Sequence, residues 1–384
     1  MIRTTNVKNG FVDLSSVRYV SESTYRLWTR RQTPCRGDVI LTREAPLGQV
    51  GLIRDDAGIF LGQRIMSYRA QAGILDNRFL LYTLLGSDLQ AQIQAIGSGS
   101  TVAHMRVPDA HKLTIPTPPL KTQQRIASIL SAYDDLIEVN RRRVAILEET
   151  ARRLFEEWFV HLRFPGHATT PLHDTPDGPV PEGWHHGCAS DLLTFDPQTS
   201  AADATSLFVP MAALTTNSSS IAFFEERAGR NGSRFLAGDT LLARITPCLE
   251  NGKTALVRAL DGDSKVGVGS TEFIVMRPDR AGRAFTYCLA RNPEFRDHAR
   301  ASMSGATGRQ RVRVEHLRGY ALLLPPAELL ASFEEVATPM LDQAEVLARA
   351  NARLAAARDL LLPRLLSGQL PVAQDYAPAL LAAE

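Results

Sequence analysis

Gln123-Gln-Arg-Ile126-Ala-Ser-Ile-Leu130-Ser-Ala-Tyr133-Asp-Asp-Leu-Ile137-Glu-Val-Asn140-Arg-Arg-Arg-Val144-Ala-Ile-Leu147-Glu-Glu-Thr-Ala151-Arg-Arg-Leu154-Phe-Glu-Glu-Trp158 is the stretch on which the fold turns. From Ile126, Leu130, Tyr133, Ile137, Asn140, Val144 and Leu147 on to Trp158, the steps alternate between four and three. That spacing is a coiled-coil seam sustained for more than four heptads. Residues 122–161 therefore read as one helix roughly 60 Å long at about 1.5 Å per residue. Asn140 is the polar member of the seam, where a buried amide fixes register at some cost in stability.

The same pattern returns near the end of the chain. Pro118-Pro119 precedes the first seam and Pro325-Pro326 precedes a second one: Phe333, Val336, Met340, Gln343, Leu347, Ala350, Leu354, Ala357, Leu361 and Leu365. Pro363 and Gly368 are expected to end that helix. Two such helices alone would leave long apolar stripes in water, so they are expected to pack on each other.

What lies ahead of each helix also repeats, about 206 residues apart. Gly37-Asp38-Val39-Ile40-Leu41 is echoed by Gly238-Asp239-Thr240-Leu241-Leu242, and Ser98-Gly99-Ser100-Thr101 by Ser304-Gly305-Ala306-Thr307. An internal repeat of this length is read before any local motif. In each half, short β-prone runs bounded by Gly, Asp and Asn precede a more helical stretch, at 78–96 in the first and 284–302 in the second. The fold class is mixed α/β. Residues 1–117 and 181–326 form two modules, residues 118–162 and 327–370 the two helices, residues 163–180 a Pro/Gly/Thr-rich linker and residues 371–384 a tail without signal. The second module has about 28 residues, 181–208, ahead of the point matching Ile2, so the first is expected to be short at its start.

The 384 residues carry a formal net charge of +2, which allows a nucleic-acid partner only through a local basic surface. No stretch approaches the roughly 20 apolar residues that span a bilayer, and no secretory leader is visible, so a cytoplasmic protein without a membrane partner is expected. Cys35, Cys188, Cys248 and Cys288 are scattered, which argues against a zinc site or a disulfide framework. There is no phosphate-cradling G-x-x-x-x-G-K-[ST] loop and no G-x-S-x-G elbow. Asp196-Pro-Gln-Thr199 reads as a turn. The chain is expected to have no catalytic residues, no metal and no cofactor of its own.

What remains is a set of polar loops suited to a polyanion. In the first module they supply Arg3, Asn6, Lys8, Gln63, Arg64 and Arg106; in the second, Arg244, Asn251, Lys253, Arg309, Gln310 and Arg311. Lys and Arg neutralise phosphates, while Arg, Gln and Asn read base edges through paired hydrogen bonds.

Several segments together resemble the specificity subunit of type I restriction-modification systems. They are residues 118–140, the continuation Leu154-Phe-Glu-Glu-Trp-Phe-Val160, Pro181-Glu-Gly-Trp184, residues 241–253, and Arg358-Asp-Leu-Leu-Leu-Pro-Arg-Leu-Leu-Ser-Gly368. The resemblance implies two target-recognition domains, joined by two long antiparallel coiled-coil helices with pseudo-twofold symmetry, that read a bipartite sequence in double-stranded DNA. It also implies docking of two methyltransferase subunits and of restriction translocase-nuclease subunits. S-adenosylmethionine, ATP and Mg would then belong to those partners. Two other readings are a truncated subunit that binds its methyltransferase without reading DNA, and a coiled-coil scaffold with two protein- or glycan-binding modules.

Overall fold

The structure, a computed structural model, describes residues 1–14, 16–56, 58–97, 103–176, 178–200, 205–228, 231–258, 266–306 and 309–372. The chain divides into two compact units, Met1–Ile137 with Ala352–Glu384, and Glu138–Asn351. Each holds one module and part of both long helices.

The first unit begins with β1 (Val7–Lys8), β2 (Gly10–Val12) and the helix α1 (Glu22–Thr29), followed by β3 (Val39–Arg43), β4 (Leu47–Leu52) and β5 (Ile65–Tyr68). The five strands form one sheet in the order β1-β2-β4-β3-β5. Only β2 and β4 run parallel. Val39, Ile40 and Leu41 are buried on both faces, which is why β3 reads as an unbroken apolar run. Two helices, α2 (Asn77–Leu85) and α3 (Ser87–Gly97), pack against the sheet, and α4 (Leu120–Phe155) follows. The helical stretch expected as one piece at 78–96 is thus broken at Gly86. A Cβ there would lie 2.8 Å from the Leu366 side chain and 3.2 Å from the Thr83 carbonyl oxygen.

In the second unit, α4 ends in one wider turn, Glu156–Val160. The strands that follow are β6 (Leu172–Thr175), β7 (Gly178–Pro181), β8 (His185–Cys188), β9 (Leu193–Phe195), β10 (Thr205–Val209), β11 (Glu225–Ala228), β12 (Ser233–Phe235), β13 (Thr240–Ala243), β14 (Thr254–Leu256), β15 (Gly267–Gly269) and β16 (Phe273–Pro278). Then come α5 (Arg283–Arg291), α6 (Pro293–Ala301), α7 (Val314–Arg318), β17 (Ala321–Leu324) and α8 (Ala327–Leu366). Two four-stranded sheets, β11-β10-β15-β12 and β14-β13-β16-β9, carry the module. Residues 163–180 are not a free linker: β6 and β7 pair as an antiparallel ribbon, and Phe164 stacks at 5.3 Å on Trp184 in the core.

The helices pair antiparallel within each unit. In the first, Ile126 shares a core with Leu365, and Asp134 bonds Arg358. In the second, Asn140 donates to Asn351 at 3.0 Å, Val144 packs with Ala344 and Leu347, and Phe155 meets Phe333. Among the seam positions, Ile126, Leu130, Ile137, Asn140, Val144, Phe333 and Leu347 are buried, whereas Tyr133, Leu147, Met340, Leu354 and Leu361 are half-buried. Between Phe333 and Leu347 the buried stripe of α8 sits one residue over from the expected seam: Ala337, Leu341 and Ala344 face inward, and Val336 and Gln343 face water. Nor does Pro363 end α8, which runs on to Leu366. Its ring is on the exposed face and removes only one helix hydrogen bond.

The repeat is visible atom by atom. Gly37 and Gly238 both adopt positive φ, +94° and +95°, ahead of the buried Asp38 and Asp239. Asp38 accepts from Cys35 N and from Arg69 Nε; Asp239 accepts from Leu236 N and from Arg277 Nε. Asp135 of α4 holds Arg54 and Arg78, while Asp342 of α8 holds Arg258 and Arg283. Each long helix thus clamps its own module through an aspartate and two arginines.

Burial pushes the Asp38 carboxyl up, but the Arg69 ion pair and the Cys35 N–H outweigh it and hold it below the ordinary 3.8. A carboxylate with a depressed folded pKa contributes its stability in full above about 3.8. That contribution is lost as pH falls through the lower folded value. Urea midpoints should therefore stay level from about pH 7 to 5 as far as this group is concerned, and drop below about pH 4. Asp38→Asn should shallow the acid limb; an unchanged limb would show that this pair does not set it.

Candidate nucleic-acid interface

In both units a loop after the buried β3 or β13 turns back through a cis X-Pro bond, at Ala45-Pro46 and at Thr246-Pro247. A second segment crosses it. Met105 N donates to the Arg43 carbonyl at 3.0 Å, and Val312 N donates to the Arg244 carbonyl at 2.9 Å. Arg43 Nη1 returns to the Met105 carbonyl and Arg244 Nη2 to the Val312 carbonyl, at 3.2 and 3.0 Å. This frame is the same twice, down to the guanidinium that ties it.

The surface it presents differs. In the first unit Glu44 lies between Arg64 (Nε to Oε1, 3.2 Å) and His104 (Nδ1 to Oε2, 3.1 Å). At the equivalent places in the second unit stand Ile245, Glu272 and Arg311. Arg311 binds both carboxylate oxygens of Glu272, with distances from 2.6 to 3.0 Å. The Arg311 hydrogen bonds hold the Glu272 carboxyl below its ordinary range, so the pair stays charged at neutral pH.

The expected contact residues separate into two groups. Lys8, Gln63, Arg64, Arg106, Asn251 and Arg309 are exposed; the Arg106 side chain is 81% accessible and 3.9 Å from Asp109. Arg309 has no side-chain partner among the described residues. Others serve the fold. Asn6 is buried, accepting from Arg3 N and donating to the Asp13 and Ser16 carbonyls. Lys253 Nζ donates to the Met211 carbonyl at 2.8 Å, and Arg244 ties the frame. Asn6 spends both amide hydrogens on backbone carbonyls, whereas Lys253 and Arg244, both half-buried, each commit one donor to backbone and keep the others. Arg3 is half-buried with its Nε unpartnered, and Gln310 pairs its backbone with Thr246 while its side chain stays half-exposed. Ser98, Gly99, Ser100 and Thr101 of the first Gly-Ser loop, and Thr307 and Gly308 of the second, lie outside the described residues.

Sequence reasoning passed over α1. Trp28 is 60% exposed and lines a cleft of about 550 Å³ with Arg3, Thr4, Gln63 and Arg64. The helix is started by Ser21, whose Oγ accepts from Thr24 N; Arg26, paired with Glu22, and Arg30 and Arg31 just past the helix end are exposed. A cap residue followed by a basic, Trp-bearing helical turn was the signal available. In the second unit a polar cleft of about 830 Å³ opens beside Thr271. Exposed cations with an indole suit a phosphate backbone and stacked or edge-on bases. Among the described residues, no group of three or more His, Cys, Asp or Glu side chains is placed to hold a metal ion, and no helix is long and apolar enough to cross a membrane.

Residues 22–149 match the type I restriction modification DNA specificity domain. The sequence is similar to the type I restriction enzyme MjaIX specificity subunit of Methanocaldococcus jannaschii, 27% identical over 184 residues that cover 48% of this chain and 42% of that one. It is also similar to the type I restriction enzyme EcoEI specificity subunit of Escherichia coli, 30% identical over 169 residues, 41% of this chain and 28% of that one. The matched regions span less than half the length of either relative. The fold is similar to the crystal structure of the type I restriction-modification system S subunit from M. genitalium, with a TM-score of 0.54 and 14% identity over 87% of this chain and 84% of that one.

Proposed function

We propose that this chain is a specificity subunit of a type I restriction-modification system and selects double-stranded DNA by reading two short sequences, one with each module. The observation that carries the reading is the frame that recurs with a changed face. Two identical supports that present Arg64, Glu44 and His104 in one unit and Glu272 with Arg311 in the other suit two different half-sites. One shared target would not need the difference.

The chain supplies positions and charges rather than reaction chemistry. Methyl transfer from S-adenosylmethionine and ATP- and Mg-dependent cleavage fall to methyltransferase and translocase-nuclease subunits, two copies of the former. Docking of such partners is supported by apolar side chains left bare on the long helices. These are Ile129, Leu136 and Leu360 in the first unit, and Val139, Ile146, Val336 and Val346 in the second.

The phosphate-facing part of the proposal has a salt test. Arg309 is exposed with no side-chain partner among the described residues, so Arg309→Ala should weaken DNA binding across all sequences and lower the slope of log K against log salt by about one. Arg311→Ala should act mainly through Glu272, left as a bare carboxylate beside the DNA. Titrations of the full complex at several salt concentrations measure both. A slope unchanged in Arg309→Ala would remove that residue from the interface.

A further inference from the structure

We propose that the cleft of the second unit reads an adenine through the side-chain amides of Gln198 and Asn231; this rests on the reading above that the chain selects DNA. The turn Asp196-Pro-Gln-Thr199 carries no catalytic chemistry, yet it is held firmly. Asp196 N donates to the Val275 carbonyl and Asp196 Oδ1 accepts from Val275 N, both at 2.8 Å. Arg277, anchored on the buried Asp239, reaches Thr199 Oγ1 at 3.2 Å. Two residues between these anchors, Pro197 and Gln198, form one wall of the cleft; Asn231 and Thr271 stand among its other lining residues. Gly232 (φ +151°) also lines it, held so close to the sheet that a Cβ would run into the Gly269 carbonyl and Val268.

Place and chemistry both point to a base edge. Thr271 precedes Glu272, whose carboxylate holds Arg311, so the cleft opens directly beside the face that differs between the repeats. The first unit has a cleft at the equivalent turn, lined by Gln63 and Arg64 but completed by Arg3, Thr4 and Trp28. A cavity at one frame position, built twice from unlike residues, is what two readers of different sequence require.

The lining then selects the ligand. Gln198 and Asn231 are exposed and hydrogen-bond to none of the described residues, while Arg234, half-buried in the lining, gives one donor to the Thr199 carbonyl at 3.3 Å and keeps the others for the DNA backbone. The free carboxamides match the adenine edge, which pairs an N7 acceptor with an N6 donor in the major groove. The wall that carries Gln198 is fixed before DNA arrives, so little ordering is left to do on binding.

Selection from a randomised duplex library tests the proposal. It would use the full chain coexpressed with a type I methyltransferase subunit that binds it, and compare wild type, Gln198→Ala, Asn231→Ala and the double variant. The expected result is a split motif for the wild type in which one half contains an A·T pair. The double variant should lose roughly tenfold or more of the preference at that pair and keep the other half unchanged. Trp28→Ala, in the first unit, should alter the opposite half. Both amides are exposed and unbonded, so thermal melts of the variants should match wild type. A wild-type motif that survives intact in the double variant, or whose halves both lack an A·T pair, overturns this inference and leaves the function standing. No motif from the wild type overturns both.

Discussion

Asp134→Ala is expected to destabilise the first unit by about 3–5 kcal/mol, a large part of the roughly 5–15 kcal/mol by which domains are stable. Asp134 is fully buried and accepts twice, from Tyr82 Oη at 2.7 Å and from Arg358 Nη1 at 2.5 Å. Removing the carboxylate strands the Tyr82 hydroxyl and leaves the Arg358 guanidinium with the exposed Asp359 as its one remaining carboxylate, in a core that also holds Ile126, Leu130 and Leu365. The other repeat shows the apolar alternative: Leu341 stands at the equivalent place on α8, buried in the second core. The combination Asp134→Leu, Arg358→Met and Tyr82→Phe should therefore recover most of the loss, since an apolar replacement of a whole buried polar group is often neutral or stabilising. Urea denaturation followed by circular dichroism measures this. A loss below about 1 kcal/mol in Asp134→Ala would show that Arg358 finds solvent or another acceptor.

The second large effect is expected at Phe333, where Phe333→Ala should cost the second unit about 3–5 kcal/mol. Phe333 is the meeting point of α8 with the end of α4 and with α5. Its ring lies 5.1 Å from Phe159, 5.9 Å from Trp158, 6.2 Å from Phe155 and 6.5 Å from Phe285, at edge-on angles. Truncation leaves a cavity whose walls are rigid aromatic rings, which close in poorly. Phe333→Leu should lose markedly less. Near-ultraviolet dichroism should flatten in the Ala variant because Trp158 loses its ordered neighbour. A stable Ala variant with an unaltered near-ultraviolet spectrum would mean that Phe333 is not at the centre of this core.

These two residues also mark what the sequence made legible. Phe333 belongs to a periodic run, and periodicity exposed both long helices, their pairing and the repeat. Asp134 could not be found that way. It follows Tyr133, the apparent seam residue, and only a partner 224 positions later explains why a carboxylate is buried there. Asn140 was readable as a polar seam member, but its partner Asn351 was not, because the Ala-rich run around it supports several heptad frames. For the same reason α8 was read one residue off at Val336 and Gln343: the helix packs on its own module as well as on α4, which widens and shifts its buried stripe.

The interface was legible in outline only. Arg, Lys, Asn and Gln in loops look alike in a sequence, and distant backbone decides which of them are free. Lys253 is taken by the Met211 carbonyl and Asn6 by the Asp13 and Ser16 carbonyls, while Arg309 and Arg106 stay exposed. Trp28 was missed because the first module was read as strands and turns until residue 78. The paired frames, with their equivalent guanidinium ties at Arg43 and Arg244, emerge only from hydrogen bonds that span more than 60 residues.

The central claim is that one chain reads two sequences through two copies of one support. Mapping the modified bases in DNA from cells that express this chain with a type I methyltransferase subunit that binds it tests that claim most directly. The account predicts methylation confined to a split motif, two short specific halves around an unspecified spacer. A methyltransferase complex that forms and leaves no motif, or one that marks a single uninterrupted sequence, would contradict it.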